Sequence, residues 1–226
     1  MKPVLYVGNR NYSSWSLRGW LPLMWSGLDF ETRDVELDAE GYGEARIAQV
    51  MAASPSGRVP ALHLDGATVW DSLAIGEWAA EQAPNAQLWP KDGLERAVAR
   101  SLACEMHSGF AGMRTDMPCN IRRRVENVSL GEPALRDLAR IDEIFASQAE
   151  RAKGRGPYMY GRRGVVDAAY LPIATRLRTY SAKLSPAAAA YRDTLLGDDA
   201  FLEWERIAEE TWPGPMRHGD ADTRHG

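Results

Sequence analysis

The stretch SPSGRVPALHLDGATVWDSLAIGEW, residues 54–78, decides the fold, because each of its pieces has a separate local meaning. Ser54-Pro55-Ser56-Gly57 reads as a turn. Residues 61–64 and 68–70 are strand-like runs on either side of Asp65-Gly66, the strongest short-range hairpin signal a sequence offers. Val59-Pro60 opens the first of these strands, a place where a residue without an N–H is tolerated. Asp71-Ser72 then stands before Leu73, Ile75, Trp78 and Ala79, so a helix capped by a side chain is predicted to begin where the hairpin ends.

Upstream, residues 2–7 read as a buried strand and residues 8–12 as a polar loop. Ser13-Ser14 precedes Leu17, Leu21, Met24, Trp25 and Leu28, apolar positions at helical spacing. Residues 31–37 alternate as a second strand, and residues 41–52 carry a weak helical pattern. The predicted order is βαβαββα, a mixed α/β unit. Downstream, Pro84-Asn85 and Leu88-Trp89-Pro90 break the pattern, and everything after them reads as helix. Leu94, Val98, Leu102, Met106, Phe110, Met113 and Met117 form one stripe, predicting a single long helix that ends before Pro118. Further helical patterns cover residues 135–145, 168–184 and 201–207. The expected division is an α/β domain over residues 1–83, a linker over 84–90 and an all-helical domain over 91–226, with the polar residues from 214 onward expected to be loose.

The chain has 226 residues, 45% of them apolar and 26% charged, enough for real cores. With 27 basic and 31 acidic side chains the net charge is −4, which disfavours nucleic acid and anionic bilayers as partners. The two cysteines, Cys104 and Cys119, form neither a CxxC motif nor a Cys/His cluster, so neither a disulfide scaffold nor a zinc site is expected. The apolar run Val4 to Val7 is far too short for a signal-peptide core or a membrane span. A soluble protein of the reducing cytoplasm is the expectation.

Hydroxyl groups at a helix start are ordinary caps, yet the same place offers unpaired N–H groups and a positive dipole end that favour a bound anion. Ser13 and Ser14 could therefore donate a hydrogen bond to a thiolate. A free thiol titrates near pH 8.5, and each unit by which a site lowers that value is worth about 1.4 kcal/mol. Val59-Pro60, if cis, turns the backbone of Val59 toward a cleft. Asp71 and Ser72, beyond capping, can hold the ammonium and carboxylate of an amino-acid end.

Taken together, these pieces resemble the cytosolic glutathione transferases over nearly the whole chain: a thioredoxin-like first domain followed by an all-helical one. NYSSWSLRGW (residues 11–20) is similar to the serine motif of the zeta and theta branches, which implies a catalytic role for Ser13, with Ser14 a close second. By the same resemblance Val59 and Pro60 would meet the cysteinyl part of glutathione, Asp71 and Ser72 its γ-glutamyl end, and Arg58 its glycyl carboxylate. CEMHSGFAGMR (residues 104–114) resembles the segment lining the electrophile pocket in the beta branch, with His107 and Phe110 on matching positions; Trp15, His107, Phe110 and Met113 are the candidates for that pocket, although a lone helical histidine is more often structural and Phe110 and the methionines more often pack than bind. YGRRGVVDAAYLP (residues 160–172) resembles the family's helix-capping segment with Gly164 in place of the usual hydroxyl residue, so that helix start is expected to be less firmly held. Pro172 predicts a kink in it.

The resemblance implies glutathione as co-substrate, a small hydrophobic electrophile as second substrate, no metal and a two-fold homodimer. Trp15 stands where the zeta isomerases carry a cysteine, which weighs against maleylacetoacetate isomerisation, and no cysteine lies near residues 9–16 for thiol exchange. Two other readings are a non-catalytic interaction module and a serine hydrolase; the second lacks any GxSxG elbow. Arg176 and Arg178 could bind an acidic substrate, although arginines on a charged helix are usually solvated or ion-paired.

Overall fold

A computed structural model describes residues 2–225. Its four-stranded sheet has the order β2-β1-β3-β4, with β1 (Val4–Val7) at the centre, parallel to β2 (Glu31–Asp34) and antiparallel to β3 (Ala61–Leu64). The Asp65-Gly66 turn joins β3 to β4 (Ala67–Val69), with Gly66 at φ 77° as this hairpin requires. The helices α1 (Ser14–Ser26), α2 (Ala48–Ala53) and α3 (Ser72–Gln82) complete the thioredoxin-like unit. After a single 3-10 turn at Pro84–Ala86 come α4 (Gly93–Ser108), α5 (Ala111–Asp116), α6 (Glu132–Ala146), α7 (Gln148–Ala152), α8 (Val165–Thr179), α9 (Pro186–Leu196) and α10 (Asp199–Glu210).

One hydrophobic cluster runs through both halves. Leu5, Leu62, Leu17, Leu21 and Ile75 belong to it, as do Phe145, Tyr170, Tyr191 and Trp204 from the helical part. Each such side chain contributes roughly 1.5–3 kcal/mol on burial. Helix α1 is pressed between α3 and α8. The two halves pack closely at Gly76 of α3, where a Cβ would stand 2.9 Å from Val165 Cγ1 at the start of α8.

Two expected elements end early, β2 at Asp34 and α8 at Thr179, and the structure departs further from the sequence reading in four places. Residues 41–47 form turns, and only Ala48–Ala53 is helical, because Gly41 and Gly43 take φ values of 88° and 80° that no helix permits. The stripe from Leu94 to Met117 is two helices rather than one. Gly109 is extended and Phe110 has φ 59°, while Arg114 donates to the Met106 and Gly109 carbonyls at 2.6 and 3.0 Å, satisfying the freed end of α4. The start of α8 is well held despite Gly164. The buried Asp167 carboxyl accepts from Met159 N–H at 2.8 Å, Gly164 N–H at 2.9 Å and Tyr191 Oη–H at 2.6 Å. Burial pushes that carboxyl up to about 7 even though these donors favour its ionised form.

The fourth departure is the C-terminal segment, which packs rather than dangles. Asp222 accepts from Tyr12 Oη at 2.9 Å and from Asn120 Nδ2 at 2.8 Å, and Trp212 Nε1 donates to Tyr12 Oη at 2.9 Å. Arg217 and His218 both close on Asp38, the latter through Nδ1 at 2.6 Å. Burial alone would raise the Asp38 carboxyl, but hydrogen bonds from the two backbone N–H groups and both side chains hold it well below the usual carboxylate range. Pro172 lies inside α8 without ending it.

Candidate active site

A cavity of about 580 Å³ opens above the sheet, where the loop before α1, the 37–47 loop, the turn before β3 and the start of α3 converge. Ser13, Ser14, Trp15, Arg58, Val59, Pro60, Asp71 and Ser72 all line it. They come from three segments far apart in sequence, and the β1-β3-β4 arrangement brings the ends of those segments to one edge.

Ser13 is the N-cap of α1, its Oγ accepting from Ser16 N–H at 3.3 Å. Its hydroxyl belongs to a short chain of donors: Gly8 N–H gives to Ser16 Oγ at 2.9 Å, and Ser16 Oγ lies 2.7 Å from Ser13 Oγ. Either hydroxyl can donate across this contact; when Ser16 donates, the Ser13 proton is left for the cavity. Ser14, the first residue of α1, accepts from Arg176 Nη2 at 3.4 Å, so its proton is likewise available. Both side chains are buried, and the first turn of α1 adds unpaired N–H groups beside them.

The Val59-Pro60 bond is cis, as is Trp70-Asp71. Asp71 caps α3 through Oδ1, which accepts from Leu73 N–H at 2.8 Å, while Oδ2 meets His107 Nε2 at 3.1 Å. That contact joins α4 to the first half of the chain. Ser72 is buried beneath it, and Arg58 stands exposed at the rim with no salt bridge among the described residues.

His107 touches the site only indirectly, through Asp71 and through an edge-on contact with the Trp15 ring at 5.0 Å. Phe110 and Met113 do not line the cavity. The break at Gly109 turns them into the core, where Phe110 packs edge-on against Tyr170 at 6.4 Å and Met113 is fully enclosed. Arg178 is ion-paired with Glu205, as expected of a charged helix, but Arg176 is buried with its guanidinium on the Met117 and Pro172 carbonyls and on Ser14.

Several lining residues escaped the sequence reading. Tyr12, Leu37, Tyr42, Ile47 and Trp70 complete the walls, and their roles depend on loop shapes with no sequence period. Arg18 carried a signal that could have been used: it is the single charge in the apolar run Leu17 to Leu23. Among the described residues, no group of three or more His, Cys, Asp or Glu side chains is placed to hold a metal ion, and no helix is long and apolar enough to cross a membrane.

Residues 12–82 match the family model described as glutathione S-transferase, N-terminal domain. Over that stretch the chain carries a glutathione transferase N-terminal domain. It is similar to the maleylacetoacetate isomerase of Rattus norvegicus, 36% identical over 109 residues, a match spanning 48% of this chain and about half, 49%, of that protein. A probable maleylacetoacetate isomerase of Caenorhabditis elegans is 28% identical over 89% of this chain and 92% of its own length. Among solved structures, a glutathione transferase homologue from Burkholderia with bound glutathione superposes with a TM-score of 0.69 at 21% identity, covering 93% of this chain and all of that one, 100%. At that identity the likeness concerns the fold.

Proposed function

We propose that the chain is a glutathione-dependent enzyme that binds the tripeptide in the 580 Å³ cavity and presents its sulfur, as a thiolate, to a small electrophile. The observation that carries this reading is the convergence on one cavity of two serine hydroxyls, a backbone edge at Val59, and the carboxylate and hydroxyl of Asp71 and Ser72. Glutathione has a matching set of groups: a thiol, a peptide backbone, and an α-amino-acid end with both charges. Ser13, with Ser14 beside it, donates to the sulfur; Val59 pairs with the cysteinyl backbone; Ser72 and the start of α3 receive the γ-glutamyl carboxylate, and Asp71 its ammonium. Arg58 reaches the glycyl carboxylate. In this reading the serine is a hydrogen-bond donor and never the nucleophile.

The leading chemistry is conjugation, in which the sulfur forms a bond to an electrophilic carbon and the leaving group departs with its electron pair. Isomerisation of the maleylacetoacetate type is the second reading. The names of the relatives favour it. Trp15, in the place of the isomerase cysteine, weighs the other way. Residues 1–83 serve in this account as the glutathione-binding domain, 84–90 as the linker and 91–226 as the helical domain, in a cytoplasmic homodimer.

Calorimetric titration with glutathione tests the common part: binding in the micromolar to millimolar range supports an enzyme, and none at several millimolar supports an interaction module. Assaying an aromatic halide and maleylacetoacetate side by side then separates conjugation from isomerisation.

A further inference from the structure

Behind the two serines lie three arginines with no carboxylate to pair with. Arg18 stands four residues beyond Ser14, one turn and about 6 Å along α1. It is 4% exposed, and its Nε and Nη2 are buried without a hydrogen-bond partner. Its guanidinium lies over the Trp15 ring, 4.4 Å from the centroid, and Arg114 approaches the same indole at 5.1 Å. Arg176 is equally buried, with Nη2 on Ser14 Oγ at 3.4 Å. Among the described residues, none of these three guanidinium groups comes within ion-pair distance of a carboxylate, although the arginines of the surface mostly do.

The charged and titratable groups facing Arg18 are Arg114 of α5, Arg176 and Tyr170 of α8, Asp71 before α3, Cys119 after α5, and His107 of α4, which borders the same small crevice. Asp71 is the one carboxylate among them, and its Oδ2 is taken by His107. Burial, and after it the charges of Arg114 and Arg176, hold the Arg18 guanidinium well below its ordinary value, and burial with Arg176 brings Arg114 down to about 10 against the weaker opposing charge of Asp137 on α6. Arginine nevertheless stays protonated at neutral pH. Three like charges in a low-dielectric setting destabilise the free protein and favour an anion bound beside them.

We propose that Arg18, Arg114 and Arg176 are positioning residues whose uncompensated charge keeps the sulfur of glutathione ionised at the Ser13-Ser14 edge of the cavity. The inference rests on the glutathione reading above. Arg176 acts at shortest range, because by donating to Ser14 Oγ it leaves the Ser14 proton to point outward. Arg18 and Arg114 act through space, with the Trp15 indole between them and the cavity.

The test compares wild type with Arg18→Met, which keeps the apolar stem and removes the charge. Three readouts are taken: the thiolate absorbance of bound glutathione against pH, the pH profile of kcat/KM, and binding of S-methylglutathione, which has no ionisable thiol. The expected result is that both pH profiles move up by about one unit or more. S-methylglutathione affinity is expected to stay within about twofold, and the free variant to melt no lower than wild type. Should Arg18→Met not fold, Arg114→Met, at a half-buried position, gives the same readouts. Unmoved profiles with S-methylglutathione still bound overturn the inference alone. Failure of wild type to bind S-methylglutathione overturns it together with the glutathione reading.

Discussion

Ser13→Ala removes a cap and a donor in one step, and the two losses can be measured apart. As a cap, Ser13 Oγ accepts one N–H at 3.3 Å, a long contact, so its loss is worth about 1 kcal/mol at most. In a chain of this size that lowers Tm by about 2–4 °C. As a donor to a thiolate, it stands at the end of the chain from Gly8 N–H through Ser16 Oγ. Removing one preorganised donor to a developing anion costs about 2.7–4 kcal/mol, or 100- to 1000-fold in turnover. Ser14, with its own free proton, compensates in part, so the expected fall in kcat lies between about 10- and 1000-fold. The assay is turnover of an aromatic halide at saturating glutathione, with a melting curve alongside. Ser16→Ala should lower the rate less while costing about 1–3 kcal/mol of stability, because it leaves the buried Gly8 N–H without an acceptor. Wild-type rates for both the Ser13 and Ser14 alanine variants would show that neither hydroxyl serves the sulfur.

The tail contacts predict that Asp38→Ala, by freeing Arg217 and His218, makes the segment after Trp212 a target for limited proteolysis and raises KM for glutathione severalfold with little change in kcat. Equal digestion of variant and wild type would contradict this. The pH dependence has a definite sign. The folded Asp38 carboxyl titrates below its unfolded value, so its stabilisation is fully present above about pH 4 and is lost as the pH falls further, which hydrogen exchange of residues 214–225 should report. Gly76→Ala should cost about 1–3 kcal/mol in chemical denaturation, since the new methyl meets Val165 between the two halves. Tyr191→Phe, which takes one donor from the enclosed Asp167, should cost about 1–3 kcal/mol by the same measurement, and a neutral result would mean the bond is not made.

What could be read in the sequence was whatever depends on near neighbours. Asp65-Gly66 specifies its hairpin alone, Asp71 its cap, and Ser13 the start of α1; all three stand where their local chemistry places them. The helical stripe misled because period reports which face is apolar and not whether the backbone continues. Gly109 and Phe110 keep the period while turning the chain. Arg176 misled in the opposite sense, since surface arginines are the rule and only the packing of α1 on α8 shows that this one is enclosed. The loop from 37 to 47 had no legible pattern because glycines and turns set its path, and the partners of Asp38 in it lie 179 and 180 residues further along the chain.

Those distant partners bear on how the protein is made. During synthesis the strands, α1 and α3 emerge early and can close their apolar contacts, since domains fold as they leave the ribosome. Tyr12, one residue before the serine, and Asp38, next to Leu37 of the cavity wall, must wait for Asp222, Arg217 and His218, about 180 to 210 residues further along. A nascent chain stalled before residue 212 would therefore carry a folded sheet whose cavity wall at Tyr12 still lacks Trp212 and Asp222.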